Sequence, residues 1–345
     1  MEHSPQIQPL DVSHLPELNR LFTGVFGVQR KPEMWEWKYF CNPHGDPVAT
    51  VATLGGAVIG FYGLLPRKIR IENRMTIAYQ EVDLMVDRDH GGGGLFKKLG
   101  RASYARVQEL GHPFTFGFPN TTSLPLGRRI LGWRAIRPIP LWTVLLQPGS
   151  MLRQRFPHMP VVGIAADRFF RMYHAFRLRS RYSGTIREAE TIPVLDVSDG
   201  DTSRHFTFIR DRDYLVWRYH AHPEITYRFF VAERDERPDA SVVVAVTEDG
   251  RVNICECLLS FPWNVVPLAA LFARIAAVCR GEGCHTLRCW ALEGSPEGRM
   301  LGSMGFFGRN ALNFHVIRSF ESPEFNRYLF DADRWFISSG DSDCV

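Results

Sequence analysis

The chain has 345 residues, 45% of them hydrophobic, and its 41 basic and 37 acidic residues leave a net charge of +4. This length and apolar content suffice for two domains with their own cores. The nearly balanced charge is typical of a mixed surface, so we do not expect nucleic acid as a partner.

Cysteine usage and hydropathy further narrow the class of protein and the compartment in which we expect it. Seven cysteines, an odd number, are more typical of a reducing compartment than of a disulfide framework. The N-terminal residues do not resemble a secretory signal, and no apolar run reaches the ~18 to 20 residues of a membrane helix. We therefore expect a cytoplasmic protein with no membrane partner. CxxC spacing is absent, so we also expect no metal site.

The first elements predicted are two helices and a series of strands. Leu15, Leu18 and Phe22 share one helical face, and Pro32 begins a second helix. Strands follow at 48–54, 57–65, 68–73 and 76–86, with Gly55-Gly56 as the turn of the first hairpin. A meander of antiparallel strands therefore precedes the most informative stretch of the chain.

That stretch, residues 81–99, predicts a strand, a glycine turn and a helix. Gly91, Gly92, Gly93 and Gly94 leave the backbone without Cβ atoms where the helical spacing begins at Leu95. Unpaired amides and the positive end of the helix dipole can hold a phosphate there. Neither a P-loop nor a dinucleotide loop fits, because Gly-Lys-Ser/Thr and GxGxxG are both absent.

Further elements complete the first half of the chain. Residues 114–118 predict a strand that ends at Pro119-Asn120, residues 126–131 a short helix, and residues 141–146 a closing strand. Gly132-Trp133 forms the turn after the short helix.

The glycine stretch and this order of elements resemble the GCN5-related N-acetyltransferases (GNAT). The resemblance implies an α+β fold and acetyl-CoA as acyl donor. It implies that a splayed strand holds the pantetheine arm, that the glycine loop holds the pyrophosphate, and that an Asn after the fifth strand contacts CoA. The implied cofactor-binding residues are Leu84, Met85, Val86, Gly91, Gly92, Gly93, Gly94, Leu95, Phe96 and Asn120.

The same resemblance suggests where catalysis occurs. The base in this family is commonly a carboxylate on the fourth strand, where Glu81 and Asp83 lie two residues apart and are expected to share a sheet face. Arg128 occupies the place of the family's usual acid, a Tyr, and His90 and Tyr62 are weaker candidates for that role.

Aromatic residues are candidates for the acceptor site. Trp37, Tyr39 and Tyr62 suit the stacking of a sugar ring, and core packing is the alternative reading of the same residues.

An internal repeat extends the prediction to the whole chain. Trp37-Lys38-Tyr39 recurs as Trp217-Arg218-Tyr219 at an offset of 180 residues, and each copy precedes a similar order of elements. The second copy has the bulky run 260–264 in place of the glycines. The sequence therefore predicts two tandem GNAT domains, similar to tandem acetyltransferase-like proteins of bacteria. Each is expected to have a mixed, mostly antiparallel sheet flanked by helices, with a splayed strand pair.

We place the first GNAT domain at residues 1–150, a basic helical connector at 151–190 and a degenerate second domain with its tail at 191–345. The connector is rich in arginine, which indicates either a solvated helix face or a cradle for phosphates or acidic glycans.

The function expected is an acyl-CoA-dependent N-acetyltransferase acting on the amine of a small molecule, for example an amino sugar. Two alternatives stay open: a peptidyltransferase-like enzyme that uses aminoacyl-tRNA, and a non-catalytic CoA-binding or partner protein. The sequence gives no prediction of the oligomeric state.

Overall fold

The structure is a computed structural model that describes residues 4–72, 74–91, 94–193, 195, 206–259 and 265–343. Its strands are β1 (Gln6–Pro9), β2 (Val48–Leu54), β3 (Ala57–Ile71), β4 (Arg74–Val86), β5 (Phe114–Gly117), β6 (Arg134–Leu145), β7 (Thr185–Ala189), β8 (Phe206–Phe208), β9 (Tyr227–Arg234), β10 (Arg237–Val246), β11 (Arg251–Leu259), β12 (Thr286–Trp290), β13 (Phe307–Ser319) and β14 (Trp335–Phe336).

Helices alternate with these strands. They are α1 (Leu15–Phe26), α2 (Glu33–Phe40), α3 (Leu95–Glu109), α4 (Ser123–Ile130), α5 (Gly149–Arg155), α6 (Pro160–Arg177), α7 (Arg212–Leu215), α8 (Val265–Gly281), α9 (Pro296–Ser303) and α10 (Pro323–Leu329). A π-helical turn, Val216–His220, continues α7. Among the residues described, no helix is both long and apolar enough to cross a membrane.

The chain forms two compact units whose segments interleave in sequence. The first unit comprises Met1–Pro138, Arg204–Ile225 and Asn313–Phe336, and the second comprises Ile139–Ser203, Thr226–Leu312 and Ile337–Val345. These bounds differ from the consecutive domains placed by the sequence, because strands β8, β13 and β14 bring later segments into the first unit.

The first unit is built on a mixed sheet. Strands β1 to β4 are joined antiparallel in sequence order. Strand β5 pairs parallel with β4, and residues 316–319 of β13 pair antiparallel with β5. Strand β8 pairs with the end of β3, and β14 pairs with β8.

Strand β3 is longer than the sequence predicts. It runs without interruption through Pro66, where the sequence analysis expects two separate strands. One edge of β3 pairs with β2 as far as Leu64 and with β8 from Ile69 onward. Pro66 lies between these two pairings, where a missing N–H interrupts neither of them.

Strand β4 contains a bulge that controls the direction of its side chains. Phe61 pairs with Met85 and Gly63 pairs with Val82, so two residues of β4 lie opposite Tyr62 alone. Asp83, in the bulge, has a φ of 53°, a left-handed value that Asp tolerates better than most residues. The bulge changes the side-chain alternation along the rest of β4.

Each face of this sheet has its own apolar cluster. One cluster includes Tyr62, Leu64, Leu95 and Leu99 and therefore lies under α3. The other includes Leu18, Phe22, Trp35, Phe61 and Val82 and lies under α1 and α2. The predicted apolar face of α1 is confirmed, because Leu15, Leu18, Leu21 and Phe22 are all buried.

The repeated Trp motif forms a symmetric contact inside the first unit. Trp37 and Trp217 stack with their ring centroids 4.6 Å apart. Each indole Nε1 donates to the backbone carbonyl of the other Trp at 2.9 Å. The two copies of the motif thus satisfy each other's buried donors.

The second unit contains a comparable sheet. Strands β7, β9, β10 and β11 pair antiparallel in that order, and β12 pairs parallel with β11. Residues 141–145 of β6 pair antiparallel with β12. Helix α8 contributes Leu268, Leu271, Phe272 and Ile275 to the apolar cluster on this sheet. The run at 260–264 lies outside the described residues.

Asp83 anchors α2 to the first sheet, and its removal should destabilise the protein. Lys38 is only 1% exposed, so Asp83→Ala leaves a buried cation without its closest anion. We expect the free energy of unfolding to fall by about 3–5 kcal/mol in chemical denaturation.

The matched control is Asp333→Ala, which breaks an exposed pair with Arg137 in the same unit. That change should cost less than about 1 kcal/mol. Equal losses in the two variants would contradict the anchoring role of Asp83.

Candidate functional site

Strands β4 and β5 separate within the first unit. Their parallel pairing joins Tyr79 to Thr115 and Gln80 to Phe116, and it ends there in the described part of the chain. Strand β4 continues to Val86 while it pairs with β3 on its other edge. The predicted splayed strand pair therefore begins directly before Glu81.

Glu81 lies where the two strands part and is surrounded by hydroxyl groups. Its Oε2 accepts from the Tyr62 hydroxyl at 2.6 Å. Its Oε1 accepts from the Tyr104 hydroxyl at 2.9 Å and from Thr115 Oγ1 at 2.7 Å. Three elements, β3, α3 and β5, thus each supply one donor to a single carboxylate.

Tyr104 is itself held in place by a second layer of contacts. Trp133 Nε1 donates to the Tyr104 hydroxyl at 2.9 Å, and the Tyr62 and Tyr104 hydroxyl oxygens are 2.8 Å apart. Helix α3 lies close to this group because Gly100 has no Cβ, which would otherwise approach Leu131 and the Tyr62 ring. The turn predicted before Trp133 is present, with Gly132 at a φ of 73°.

The environment of Glu81 favours a carboxyl group that titrates near neutral pH. Burial raises the pKa of Glu81 to about 7, although the hydrogen bonds from Tyr62, Thr115 and Tyr104 oppose that rise. Burial and the neighbouring Glu81 raise the pKa of Tyr62 well above its ordinary value, so this hydroxyl keeps its proton. A carboxyl group with a pKa near 7 can act as a general base at neutral pH.

Asp83 has a different environment from Glu81. Its carboxylate forms ion pairs with Arg30 Nη1 at 2.9 Å and with Lys38 Nζ at 2.6 Å. It also accepts a hydrogen bond from the Tyr39 hydroxyl at 2.8 Å. Burial alone would raise the pKa of Asp83, but Lys38 and Arg30 hold it below its usual value. The carboxylate therefore stays ionised and is fully engaged in the structure.

The prediction that Glu81 and Asp83 share a sheet face is wrong. Glu81 contacts groups on the side of α3, whereas Asp83 contacts α2 and Arg30 on the side of α1. The bulge at Asp83 is the cause, since one additional residue reverses the alternation of side chains.

The glycine turn leads into α3 as the sequence predicts. Gly94 caps the helix with a φ of 70°, and no atom lies within 4 Å of where its Cβ would be. The first helical turn contains no acidic residue, and Lys97 and Lys98 are both exposed there. Gly91 is exposed, while Gly92 and Gly93 lie outside the described residues.

The remaining residues implied to bind the cofactor occupy two places. Leu84, Met85 and Val86 form the end of β4, where Met85 is 2% exposed and packs under α1 and α2. Leu95 and Phe96 begin α3.

Asn120 follows β5. Its Oδ1 accepts from the amides of Thr122 and Ser123 at 2.9 and 3.0 Å, which orders the entry to α4.

The three residues proposed for the acceptor site have separate surroundings. Trp37 is buried against Trp217, and Tyr39 is buried and bonded to Asp83. Tyr62 is also buried but joins the group around Glu81. The contacts of Trp37 and Tyr39 favour core packing, the alternative that the sequence left open.

Sequence reasoning missed several members of this site. Two of them, Tyr104 and Thr115, donate hydrogen bonds to Glu81, and Trp133 donates to Tyr104. Two others, Lys97 and Lys98, lie in the first turn of α3. A Tyr on the apolar face of α3 was one available signal, because a buried phenol usually requires a hydrogen-bond partner. Lysines in a first helical turn were another, since the helix dipole disfavours them there unless an anion is bound.

A separate cluster in the second unit contains metal-ligating residue types. The ligand atoms of Cys279, Glu282 and Cys284 lie within 4.8 Å of one another. Glu282 is also 2.6 Å from Arg228 Nη1, which supplies a positive charge beside the cluster. Burial raises the pKa of Cys279 to about 12, so this thiol remains protonated and is a poor ligand in that state.

Comparisons with known proteins agree with this geometry. Residues 6–136 match the family model of the acetyltransferase (GNAT) domain. A search of curated proteins finds no match.

Solved structures share the fold across most of the chain. A probable N-acyltransferase from Enterococcus faecalis is 11% identical, with a TM-score of 0.65, over 92% of this chain and 73% of that one. A GCN5-related N-acetyltransferase from Anabaena variabilis is 11% identical, with a TM-score of 0.61, over the same shares. A tandem GNAT protein from the clavulanic acid biosynthesis pathway is 9% identical, with a TM-score of 0.59, over 92% of this chain and 99% of that one. The predicted α+β fold of the tandem GNAT type is confirmed.

The raised pKa of Glu81 predicts a pH dependence of stability. In the unfolded chain the carboxyl loses its proton near pH 4.5, whereas in the folded protein it keeps it until about pH 7. The folded state therefore binds more protons between these values, and stability falls as pH rises through this range. Chemical denaturation at pH 5 and pH 8 should show a loss of roughly 2.5 kcal/mol from this group.

Glu81→Gln is the control, because it has no proton to lose. The difference between pH 5 and pH 8 should be smaller in this variant by the same amount. If both proteins show the same pH dependence, Glu81 does not titrate as its burial indicates.

Proposed function

We propose, from the premise that residues 6–136 form a GNAT acetyltransferase domain, that the protein is an acyl-CoA-dependent N-acyltransferase. Acetyl-CoA is the donor, and the acceptor is the amine of a small molecule, with amino sugars as the first class to test. The observation that carries the proposal is Glu81, a buried carboxyl with a pKa of about 7 where β4 and β5 part.

The residues at the end of β4 and the start of α3 fit acetyl-CoA, the proposed acyl donor. In the described part of the chain, the start of α3 has no side-chain cap, and it has open space at Gly94 and two exposed lysines, which together suit a pyrophosphate. The backbone of residues 81–86 faces the gap left by β5 and suits an amide-rich arm that binds as an added strand. When bound, acetyl-CoA would supply an activated acyl group as its thioester.

Glu81 is the proposed base, acting directly or through water. An ammonium group must lose its proton before it can attack an acyl carbon, and a carboxylate with a pKa of about 7 is half ionised at neutral pH. Asp83 is not the proposed base, because its carboxylate is already bound by two cations and a phenol hydroxyl.

The hydroxyl groups around Glu81 suit proton uptake. When the carboxylate is ionised, Tyr62 and Tyr104 both donate to it. When it is protonated, one phenol can instead donate to the other, since their oxygens are 2.8 Å apart. The group can therefore exchange donor and acceptor roles without moving any heavy atom.

Binding of acetyl-CoA can be tested at the start of α3. Gly94→Ala places a Cβ at a left-handed position without a steric clash, so it should distort the amides at this end of α3. We expect acetyl-CoA affinity, measured by isothermal titration calorimetry, to fall by about tenfold, which corresponds to about 1.4 kcal/mol.

Gly111→Ala is a matched control for this experiment. Gly111 follows the opposite end of α3, with a φ of 75° and equally open space. The control should lose similar stability and keep its affinity for acetyl-CoA. Equal affinity losses, or no binding of acetyl-CoA by the unmodified protein, would contradict the proposed donor site.

Catalysis can be tested with Glu81→Gln and Tyr62→Phe. The first variant should lose about 10²-fold or more in kcat while it still binds acetyl-CoA. The second removes a hydrogen bond that stabilises the ionised carboxylate, so the rise of kcat/KM with pH should move to higher pH.

Tyr79→Phe is the control, because the Tyr79 hydroxyl lies on β4 but donates to the backbone of Asp46. Its pH profile should match that of the unmodified protein. Thiol release measured across a panel of amines gives the rates. Retained acetyl-CoA binding with no thiol release from any amine would favour a non-catalytic protein instead.

A further inference from the structure

Among the described residues, helix α6 of the second unit is held by polar contacts along one side. His174 is 3% exposed, and its Nδ1 lies 2.8 Å from Arg280 Nη2. Arg177 Nη2 donates to the carbonyl of Gly302 at 2.8 Å. These contacts fix which side of the helix faces outward.

The outward side carries a row of apolar residues, which we call the apolar stripe. Val161, Phe169, Met172 and Phe176 recur at helical spacing and are 72%, 62%, 75% and 75% exposed. Phe156 and Met159, just before the helix, are also exposed. Contiguous apolar exposure of this kind marks an interaction surface more often than a solvated face.

Arginines lie beside the apolar stripe. The exposed ones between residues 155 and 181 are Arg155, Arg168, Arg171, Arg179 and Arg181. The sequence has a single acidic residue between 151 and 187, Asp167, and its carboxylate is bound to Arg153 and to the amide of Gly149. The surface therefore combines apolar side chains with a local excess of positive charge.

We propose that this side of α6 docks on an anionic membrane surface. The apolar stripe would enter the boundary between headgroups and acyl chains, and the arginines would pair with lipid phosphates. Such a helix lies on the bilayer, which differs from the spanning helix that the described residues do not contain. The proposal departs from the expectation of no membrane partner, because that expectation considered only signal and spanning segments.

Two other occupants fit this surface less well. A second copy of the chain packed symmetrically on α6 would bring two sets of Arg168 and Arg171 together, and the one acid of α6, Asp167, is already bound to Arg153. RNA would satisfy the arginines, and Phe169 and Phe176 could stack on bases, but the exposed Val161 and Met172 would gain no contact from phosphates or bases. A lipid surface satisfies both features.

The experiment is flotation of the purified full chain with large unilamellar vesicles. We expect binding to vesicles of equal parts phosphatidylglycerol and phosphatidylcholine, no binding to pure phosphatidylcholine, and weaker binding as salt rises. The double variants Phe169→Gln/Met172→Gln and Arg168→Glu/Arg171→Glu should each bind at least about tenfold more weakly.

Matched controls show whether a loss of vesicle binding is specific to α6 or follows from any change of an exposed methionine or arginine. Met75→Gln alters an exposed methionine elsewhere, and Arg237→Glu reverses an exposed arginine on another element, so both should bind as the unmodified chain does.

Any of the following results would overturn the proposal. One is no binding to the anionic vesicles, and another is equal losses in the variants and controls. The third is a dimer in sedimentation velocity that the Phe169→Gln/Met172→Gln variant converts to monomer, or an RNA mobility shift abolished by Arg168→Glu/Arg171→Glu without vesicle binding.

Discussion

The bulge at Asp83 is the constraint on which the arrangement of the first unit depends. Two residues of β4 lie opposite Tyr62 alone, so the carboxylates of Glu81 and Asp83 lie on opposite faces of one sheet. On one face, Asp83 binds Lys38 and Tyr39 and thereby attaches α2. On the other, Glu81 is left among hydroxyl groups where β5 departs. A regular strand would place both acids on one face of the sheet. One acid could not then bind the cations of α2 while the other stays among neutral hydroxyl groups with a raised pKa.

The separation of roles follows from what surrounds each acid. A buried carboxylate beside two cations stays ionised, because their charge outweighs the cost of desolvation. A buried carboxylate that receives only neutral donors keeps most of that cost, and its pKa rises to about 7. Tyr62, Tyr104 and Thr115 stabilise Glu81 without fixing its charge, which is the condition that a proton acceptor requires. The same strand therefore holds one acid for structure and one for proposed chemistry.

Much of this fold could be predicted from the sequence, and the errors have physical causes. Periodicity located α1, α3 and the strands of the meander, and the glycine run located the start of α3, because these signals are local. The face of Asp83 was mispredicted because the bulge depends on which residue of β3 each residue of β4 meets. Strand β3 was divided at Pro66 because the gap between β2 and β8 appears only in the folded sheet. Tyr104 and Thr115 were missed because their link to Glu81 joins elements that are distant in sequence.

The internal repeat is explained by packing more directly than by catalysis. A buried indole needs an acceptor for its N–H, and Trp37 and Trp217 each supply a backbone carbonyl to the other. Replacing either Trp removes half of the stacked pair and leaves the buried backbone carbonyl of the other Trp without its indole donor. Both copies must therefore keep the motif, even though the run that replaces the glycines in the second copy differs completely. Of the three aromatic residues first considered for the acceptor site, two thus have a structural reason to be present, and Tyr62 alone among them touches the group proposed to accept the proton.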